Sequence, residues 1–163
     1  MTQPSCHHKP NSKLPVILSE AKDLIKRVNK MEIITYKLQQ HGDERGHLVS
    51  FEEKIDVPFE IKRVYYMFDT KPGVVRGMHA HKSLEQLLVC VHGSVKILLD
   101  DGTEKKTLIL DNPYEGLYVA NNMWREMSEF SEGAVLMVFA SKYYDENDYI
   151  RDYDEFLKFV GKK

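Results

Sequence analysis

From position 31 onward, apolar residues fall in short alternating runs broken by Gly, Pro, Asn and Asp, the pattern of brief strands joined by turns. The spacing predicts strands over 32–38, 47–53, 60–69, 74–81, 85–91, 94–100, 103–110, 116–120, 124–129 and 134–141. Turns are expected at 42–46, at Pro72 and Gly73, at His92 and Gly93, and at Asn112 and Pro113; Asp101 and Gly102 form a hairpin signal. In 60–69, Ile61, Arg63, Tyr65 and Met67 alternate with Lys62, Val64, Tyr66 and Phe68. Neither face is purely polar, so this strand is expected to be covered on both sides or to lie in a contact between subunits. The tail 148–160 carries Tyr149, Tyr153, Phe156 and Phe159 and reads as a C-terminal helix packed on the end of the barrel. About ten short strands with regular turns predict an all-β sandwich or jelly roll. No internal repeat of fixed period interrupts it.

The first thirty residues do not share this pattern. Residues 1–13 are polar, with His7 and His8 adjacent, and 14–30 fit a short amphipathic helix starting from Ser19 as its cap. The apolar part is short and no small-residue cleavage site follows it, so a secretory signal is not expected. The chain therefore divides into an extension, 1–30, which would be superfluous if Met31 is the true start, and one domain, 31–163.

Composition narrows the function classes. The formal charge is -2, and no basic stripe with interleaved aromatics occurs, which argues against nucleic acid as a partner. No apolar run approaches the roughly 20 residues of a membrane span. Cys6 lies in the polar tail and Cys90 in an apolar strand, so no disulfide framework is expected and a reducing cytoplasm fits. Cys90 reads as a small buried hydrophobe.

The chemistry concentrates between Gly73 and Glu85. His79 and His81 stand two apart, which puts both imidazoles on one face of a strand, and Glu85 is expected to point the same way. A glycine, five residues, His-x-His, three residues and a glutamate make up the first cupin motif, with Gly93 one residue beyond its usual closing position. The second motif, from Gly116 to Met127, has Arg125 where a histidine is usual and lacks the proline and glycine of its turn. A guanidinium stays protonated and cannot ligate a metal. His79, His81 and Glu85 would be the only ligands left, and no metal is expected.

The segments 61–69, 76–82, 84–90 and 143–151 closely resemble the cupin-type sugar 3,4-oxoisomerases, and the resemblance spans about residues 31–160. It implies a cupin jelly roll, or double-stranded β-helix, with a short C-terminal helix. It also implies a homodimer without cofactor or metal, acting on dTDP-4-oxo-6-deoxyglucose. The 3-oxo product would pass to a pyridoxal-phosphate aminotransferase on the way to 3-amino-3,6-dideoxyhexoses. The family usually has Trp-His-Glu-Met where this chain has Trp124, Arg125, Glu126 and Met127.

Moving a carbonyl from C4 to C3 requires a base at C3, an enediol, and proton traffic between two oxygens. Two imidazoles suit both tasks. His81 is expected to carry the carbon proton and His79 to serve the oxygens, or the reverse. Arg76, Arg63 and Arg45 are candidates for the diphosphate or a developing oxyanion. Tyr65 or Tyr66, and Trp124, are candidates to face the sugar or stack on thymine. Glu85 is expected to orient an imidazole. The alternatives are a dTDP-sugar 3- or 3,5-epimerase, a metal-dependent cupin, or a cupin that only binds a sugar nucleotide.

Overall fold

In the computed structural model, which describes residues 31–162, the alternating runs pair as twelve strands. They are β1 (Ile34–Lys37), β2 (Gln40–Asp43), β3 (Gly46–Val49), β4 (Arg63–Met67), β5 (Arg76–His81) and β6 (Gln86–His92). After these come β7 (Val95–Asp100), β8 (Lys105–Leu110), β9 (Glu115–Val119), β10 (Trp124–Ser128), β11 (Val135–Ala140) and β12 (Tyr149–Ile150), followed by the helix α1 (Tyr153–Phe159). One five-stranded sheet runs β1-β9-β6-β11-β4, a second runs β12-β5-β10-β7-β8, and β2–β3 form a hairpin. Each of these strand pairings is antiparallel. The all-β jelly roll with a short C-terminal helix is thus the observed fold. The extension 1–30, with its expected helix and with Cys6, His7 and His8, lies outside the described residues.

Register decides which side chains meet. In the first sheet Tyr65 lies opposite Val138, Val138 opposite Leu88, and Leu88 opposite Leu117, so these share one face. Cys90, unpaired and buried, belongs to the same row through Leu136. In the second sheet His79 lies opposite Arg125, Arg125 opposite Leu99, and Met127 opposite Ile97. The reverse faces carry their own clusters. Leu87, Val89 and Phe139 pack with Leu38, Val57 and Phe59 outside the first sheet. Ala80, Trp124 and Ile150 pack with Phe156 of α1 outside the second. Strand β4 sits at an edge, and its outward residues Val64 and Tyr66, with Phe68 just beyond, stay exposed.

Two expectations from the sequence change. The turn at 42–46 is tighter than its composition suggested, because β2 and β3 pair up to Asp43 and Gly46. The expected 148–160 helix begins only at Tyr153. Glu146–Asp148 is a single 3-10 turn, and Tyr149–Ile150 pairs with β5 at a sheet edge. The break is local chemistry: Asp145 caps the 3-10 turn, and Asp152 caps α1 by accepting the Glu155 N–H at 2.8 Å. Tyr153 then donates to Asp100 at 2.6 Å and meets Trp124 edge-on, fixing α1 to the second sheet.

Phe156 is the only buried residue of α1, at 0 % exposure. Phe156→Ala is therefore expected to cost about 3–5 kcal/mol in urea denaturation. Tyr143→Ala, at a side chain 72 % exposed, is expected to stay within about 0.5 kcal/mol of the parent.

Candidate active site

The site is built where β4, β5 and β10 bring their inward residues to one end and β12 closes the side. Its cavity, about 490 Å³, is lined by Arg63, Tyr65, Arg76, His79, Met127, Tyr149 and Arg151, with Met67, Val75 and Gly77 completing the wall. A larger depression beside β1, about 670 Å³, is lined by Thr35, Lys37, Tyr114 and their neighbours and contains no imidazole.

His79 and His81 do share a face, as period two requires, while Ala80 between them turns outward into the α1 cluster. Their rings stand 4.8 Å apart, nearly perpendicular. Their surroundings differ. His79 lines the cavity, and its Nδ1 is 2.9 Å from the Gly77 carbonyl. An acceptor there holds the proton on Nδ1 and leaves the Nε2 lone pair free. His81 is buried, at 1 % exposure; its Nδ1 lies 3.0 Å from Asp148 Oδ2, and its Nε2 has no partner. Tyr149 packs against both rings, at 4.9 and 4.2 Å.

Backbone geometry aims the pair. Gly77 and Met78 adopt φ of 83° and 55°, and the pairing of β5 with β10 shifts register between Arg125 and Glu126. A side chain at position 77 would bring its Cβ within 2.8 Å of the Arg125 carbonyl oxygen, so only glycine fits. The irregularity turns Met78 outward, where it is 52 % exposed, and sets His79 on the cavity wall.

Arg125 is the charge that acts most on both imidazoles. It lies opposite His79 on β10, has no exposed surface, and none of its three guanidinium nitrogens has a partner. Burial pulls its pKa down to about 10, with Tyr65, Tyr149 and Asp148 acting in the opposite direction. Burial first, and the Arg125 charge second, push His79 down to about 4 and His81 down to about 2. Both imidazoles are therefore neutral at physiological pH. The contact of His81 with Asp148 is accordingly a hydrogen bond from a neutral ring to a carboxylate, not an ion pair. Burial likewise raises the Tyr65 phenol, which accepts from Gln86 at 2.8 Å.

The residues singled out in the sequence separate into two groups. His79, Arg63, Tyr65 and Arg76 line the cavity, and His81, its ring 4.8 Å from that of His79, lines a smaller cavity that shares Arg63 and Tyr149 with the first. Arg63 also stacks on Tyr65 at 5.1 Å and on Tyr144 at 5.5 Å. Three candidates lie elsewhere. Glu85 follows the turn after β5, which resets the alternation. Its carboxylate accepts from Tyr118 on the face that packs against Phe59, and it bonds neither imidazole. The carboxylate on His81 is Asp148 instead. Trp124 alternates with Arg125 and so faces outward, buried against Tyr153 and Phe156, its indole N–H bonded to Glu126 at 3.0 Å. It does not face the cavity. Arg45 is paired with Asp43 at the exposed tip of the β2–β3 hairpin, its side chain 84 % exposed, outside the cavity lining. Tyr149, Arg151 and Asp148 went unassigned in the sequence, although they fall in the segment 143–151 that carries the family resemblance. Among the described residues, no three His, Cys, Asp or Glu side chains are grouped as a metal ion would require.

The chain is similar to known proteins along most of its described length. The family described as "FdtA: WxcM-like, C-terminal" matches residues 30–161. A TDP-4-oxo-6-deoxy-alpha-D-glucose-3,4-oxoisomerase from Aneurinibacillus thermoaerophilus is 56% identical over 120 residues, 74% of this chain and 86% of that protein. The crystal structure of a 3,4-ketoisomerase from Helicobacter canadensis superposes with a TM-score of 0.78 at 51% identity, covering 81% of this chain and 99% of that one. A histidine-to-asparagine mutant of the 3,4-ketoisomerase QdtA from Thermoanaerobacterium thermosaccharolyticum, solved in complex with TDP-4-keto-6-deoxyglucose, superposes with a TM-score of 0.79. The identity is 46%, over 82% of this chain and 97% of that one.

The depressed imidazoles couple stability to pH. In the unfolded chain both rings protonate near 6.5; in the fold they stay neutral far below it. The unfolded state thus binds more protons once the pH falls under about 6.5. The stability contributed by the neutral rings is present above that value and is lost as pH falls, down to about 4 for His79 and on toward about 2 for His81. The urea midpoint is expected to drop between pH 7 and pH 4.5, and to drop less in a His79→Gln, His81→Gln double variant. Equal slopes in the two proteins would refute the assignment.

Proposed function

The chain belongs to the FdtA family, and on that premise we propose that it is a TDP-sugar 3,4-ketoisomerase, moving the carbonyl of TDP-4-oxo-6-deoxyglucose from C4 to C3. The observation that carries the reading is a neutral imidazole on the wall of an arginine-rich cavity, His79, with its Nδ1 tied to the Gly77 carbonyl. Such a ring is a base whose Nε2 lone pair is available to substrate.

His79 removes the proton from C3, which the neighbouring carbonyl acidifies, and, after exchanging with solvent, delivers a proton to C4. This gives His79 the carbon and His81 the oxygens, the reverse of the first assignment made from the sequence. The choice follows from the surroundings of the two rings: His79 lines the cavity with its Nδ1 on a backbone carbonyl, whereas His81, 4.8 Å away on the same strand, has a carboxylate on its Nδ1. Negative charge grows on the C4 oxygen as the enediolate forms. Arg125, desolvated and unpaired on the same face of β10 as Met127, supplies a preorganised counter-charge. Arg63, Arg76 and Arg151 at the cavity wall suit the diphosphate of the nucleotide. The shift is redox-neutral within one molecule, so the reaction calls for no redox cofactor. A 3-oxo product is the natural acceptor for an aminotransferase that installs nitrogen at C3.

A second copy of the chain fits the exposed apolar residues Val64, Tyr66 and Phe68 at the β4 edge, together with Val74, Val75 and Met78. We read this surface as the contact of a homodimer.

Proton NMR of the chelator-treated protein with TDP-4-oxo-6-deoxyglucose in deuterated water tests the reading. A 3-oxo sugar carrying deuterium at C4 is the expected outcome. Deuterium at C3 or C5 with the carbonyl still at C4 would indicate an epimerase, and an unchanged spectrum a binding protein. His79→Asn is expected to lower kcat by at least about 100-fold while the Kd for TDP changes by less than about threefold, because the base acts on the sugar.

A further inference from the structure

We propose that Asp148, braced by Ser83 and Lys142, is a positioning residue that holds His81 ready to move the proton between the two sugar oxygens. The proposal rests on the ketoisomerase reading of the cavity. The four residues come from three separate stretches of chain. Asp148 ends the 3-10 turn ahead of β12, His81 ends β5, Ser83 lies in the turn after it, and Lys142 follows β11. Asp148 Oδ2 accepts from His81 Nδ1 at 3.0 Å and from the Leu84 N–H at 3.2 Å. Its Oδ1 accepts from the Ser83 hydroxyl, and Ser83 Oγ in turn accepts from the Lys142 ammonium at 2.8 Å. Lys142 is exposed, Ser83 half-buried and His81 buried, so the chain of bonds runs from solvent to the back of the ring.

This arrangement fixes the tautomer. A carboxylate can only accept, so the His81 proton sits on Nδ1 and Nε2 keeps its lone pair. That Nε2 is buried and has no partner among the described residues. The groups around the ring are His79, Tyr149, and the cations Arg125, Arg63 and Arg151. A proton arriving on Nε2 would add a further cation to Arg125, Arg63 and Arg151, and Asp148 is the carboxylate hydrogen-bonded to the ring that receives it.

The reaction needs such a group. Loss of the C3 proton to His79 leaves an electron pair that becomes the C3–C4 double bond, while the carbonyl pair moves onto the C4 oxygen. The C3 hydroxyl proton must then leave and a proton must reach the C4 oxygen. His81 takes the first and delivers it to the second. Collapse of the C3 oxygen to a carbonyl drives the double-bond pair onto C4, which takes a proton from His79. Protons and electrons balance with no external reductant or oxidant. Without the oxygen transfer the enolate can only be reprotonated at C3, which exchanges the hydrogen without moving the carbonyl.

Asp148→Asn, Ser83→Ala and Lys142→Ala therefore separate the two halves of the reaction. Each is incubated with TDP-4-oxo-6-deoxyglucose in deuterated water, and NMR reads deuterium at C3 of the recovered substrate alongside the 3-oxo product. In Asp148→Asn, product formation is expected to fall at least about 100-fold while exchange at C3 changes by less than about threefold. Ser83→Ala should raise the exchange-to-product ratio in the same direction by less, and Lys142→Ala by least. A parallel fall in exchange and product, or unimpaired product formation, would overturn the proposal. If Asp148→Asn fails to fold, the Ser83→Ala ratio decides, and a ratio equal to the parent's overturns it. Wild-type protein yielding neither exchange nor product would instead refute the ketoisomerase reading itself.

Discussion

A guanidinium with no exposed surface and no hydrogen-bond partner constrains the rest of this molecule. Taking a guanidinium out of water is costly, and Arg125 has no exposed surface. The strands around it must bear that cost with packing elsewhere, which the clusters on the reverse faces of the two sheets provide. Leu87, Val89 and Phe139 on one side and Trp124 on the other are held clear of the charge by strand alternation, and Phe156 of α1 packs on the outward face with Trp124. The arrangement also sets the chemistry. Arg125 and burial together keep both imidazoles neutral, where a solvated pair would titrate near 6.5.

The left-handed backbone at Gly77 and Met78 belongs to the same constraint. Those two residues are where β5 and β10 lose their regular register, between the pairs His79–Arg125 and Gly77–Glu126. The shift lets Arg125 and His79 lie opposite each other without closing the cavity, and it supplies the Gly77 carbonyl that orients His79. Strain of this kind persists when the surrounding sheet over-determines it. Here β10 is paired along its length with β7 on its other side, without irregularity.

Strand alternation was legible in the sequence wherever a run was long and its turns were marked. It placed His79 and His81 on one face, and it put the edges of β4 to β11 within a few residues of their observed positions. It could not say which of Trp124 and Arg125 would face inward, since both parities are compatible with a sheet covered on both sides. Trp124 was a candidate to face the sugar, and packing under α1 took it instead. Glu85 was misjudged because the turn at 82–84 resets the alternation, so counting from His81 across it carries no information on facing. Asp148 was invisible for a different reason: it lies 67 residues from His81, and no local period links positions that meet only through sheet closure. Tyr149 and Arg151 were hidden by the helical spacing of their neighbours, which the Asp152 cap interrupts.

Epimerisation and carbonyl transfer begin with the same act, removal of a proton beside a ketone, and one accessible base suffices for either. Carbonyl transfer alone also has to exchange protons between two oxygens before a proton returns to carbon. That demand explains why a single well-placed imidazole is not enough and why the second should differ from the first. A base for carbon must reach the substrate and shed its proton readily, which suits a ring on an open wall tied to a backbone carbonyl. A carrier between oxygens passes through a cationic state and profits from a carboxylate behind it. On the proposed reading His79 and His81 divide these two roles, and because they share one strand their relative position is set by the pleat.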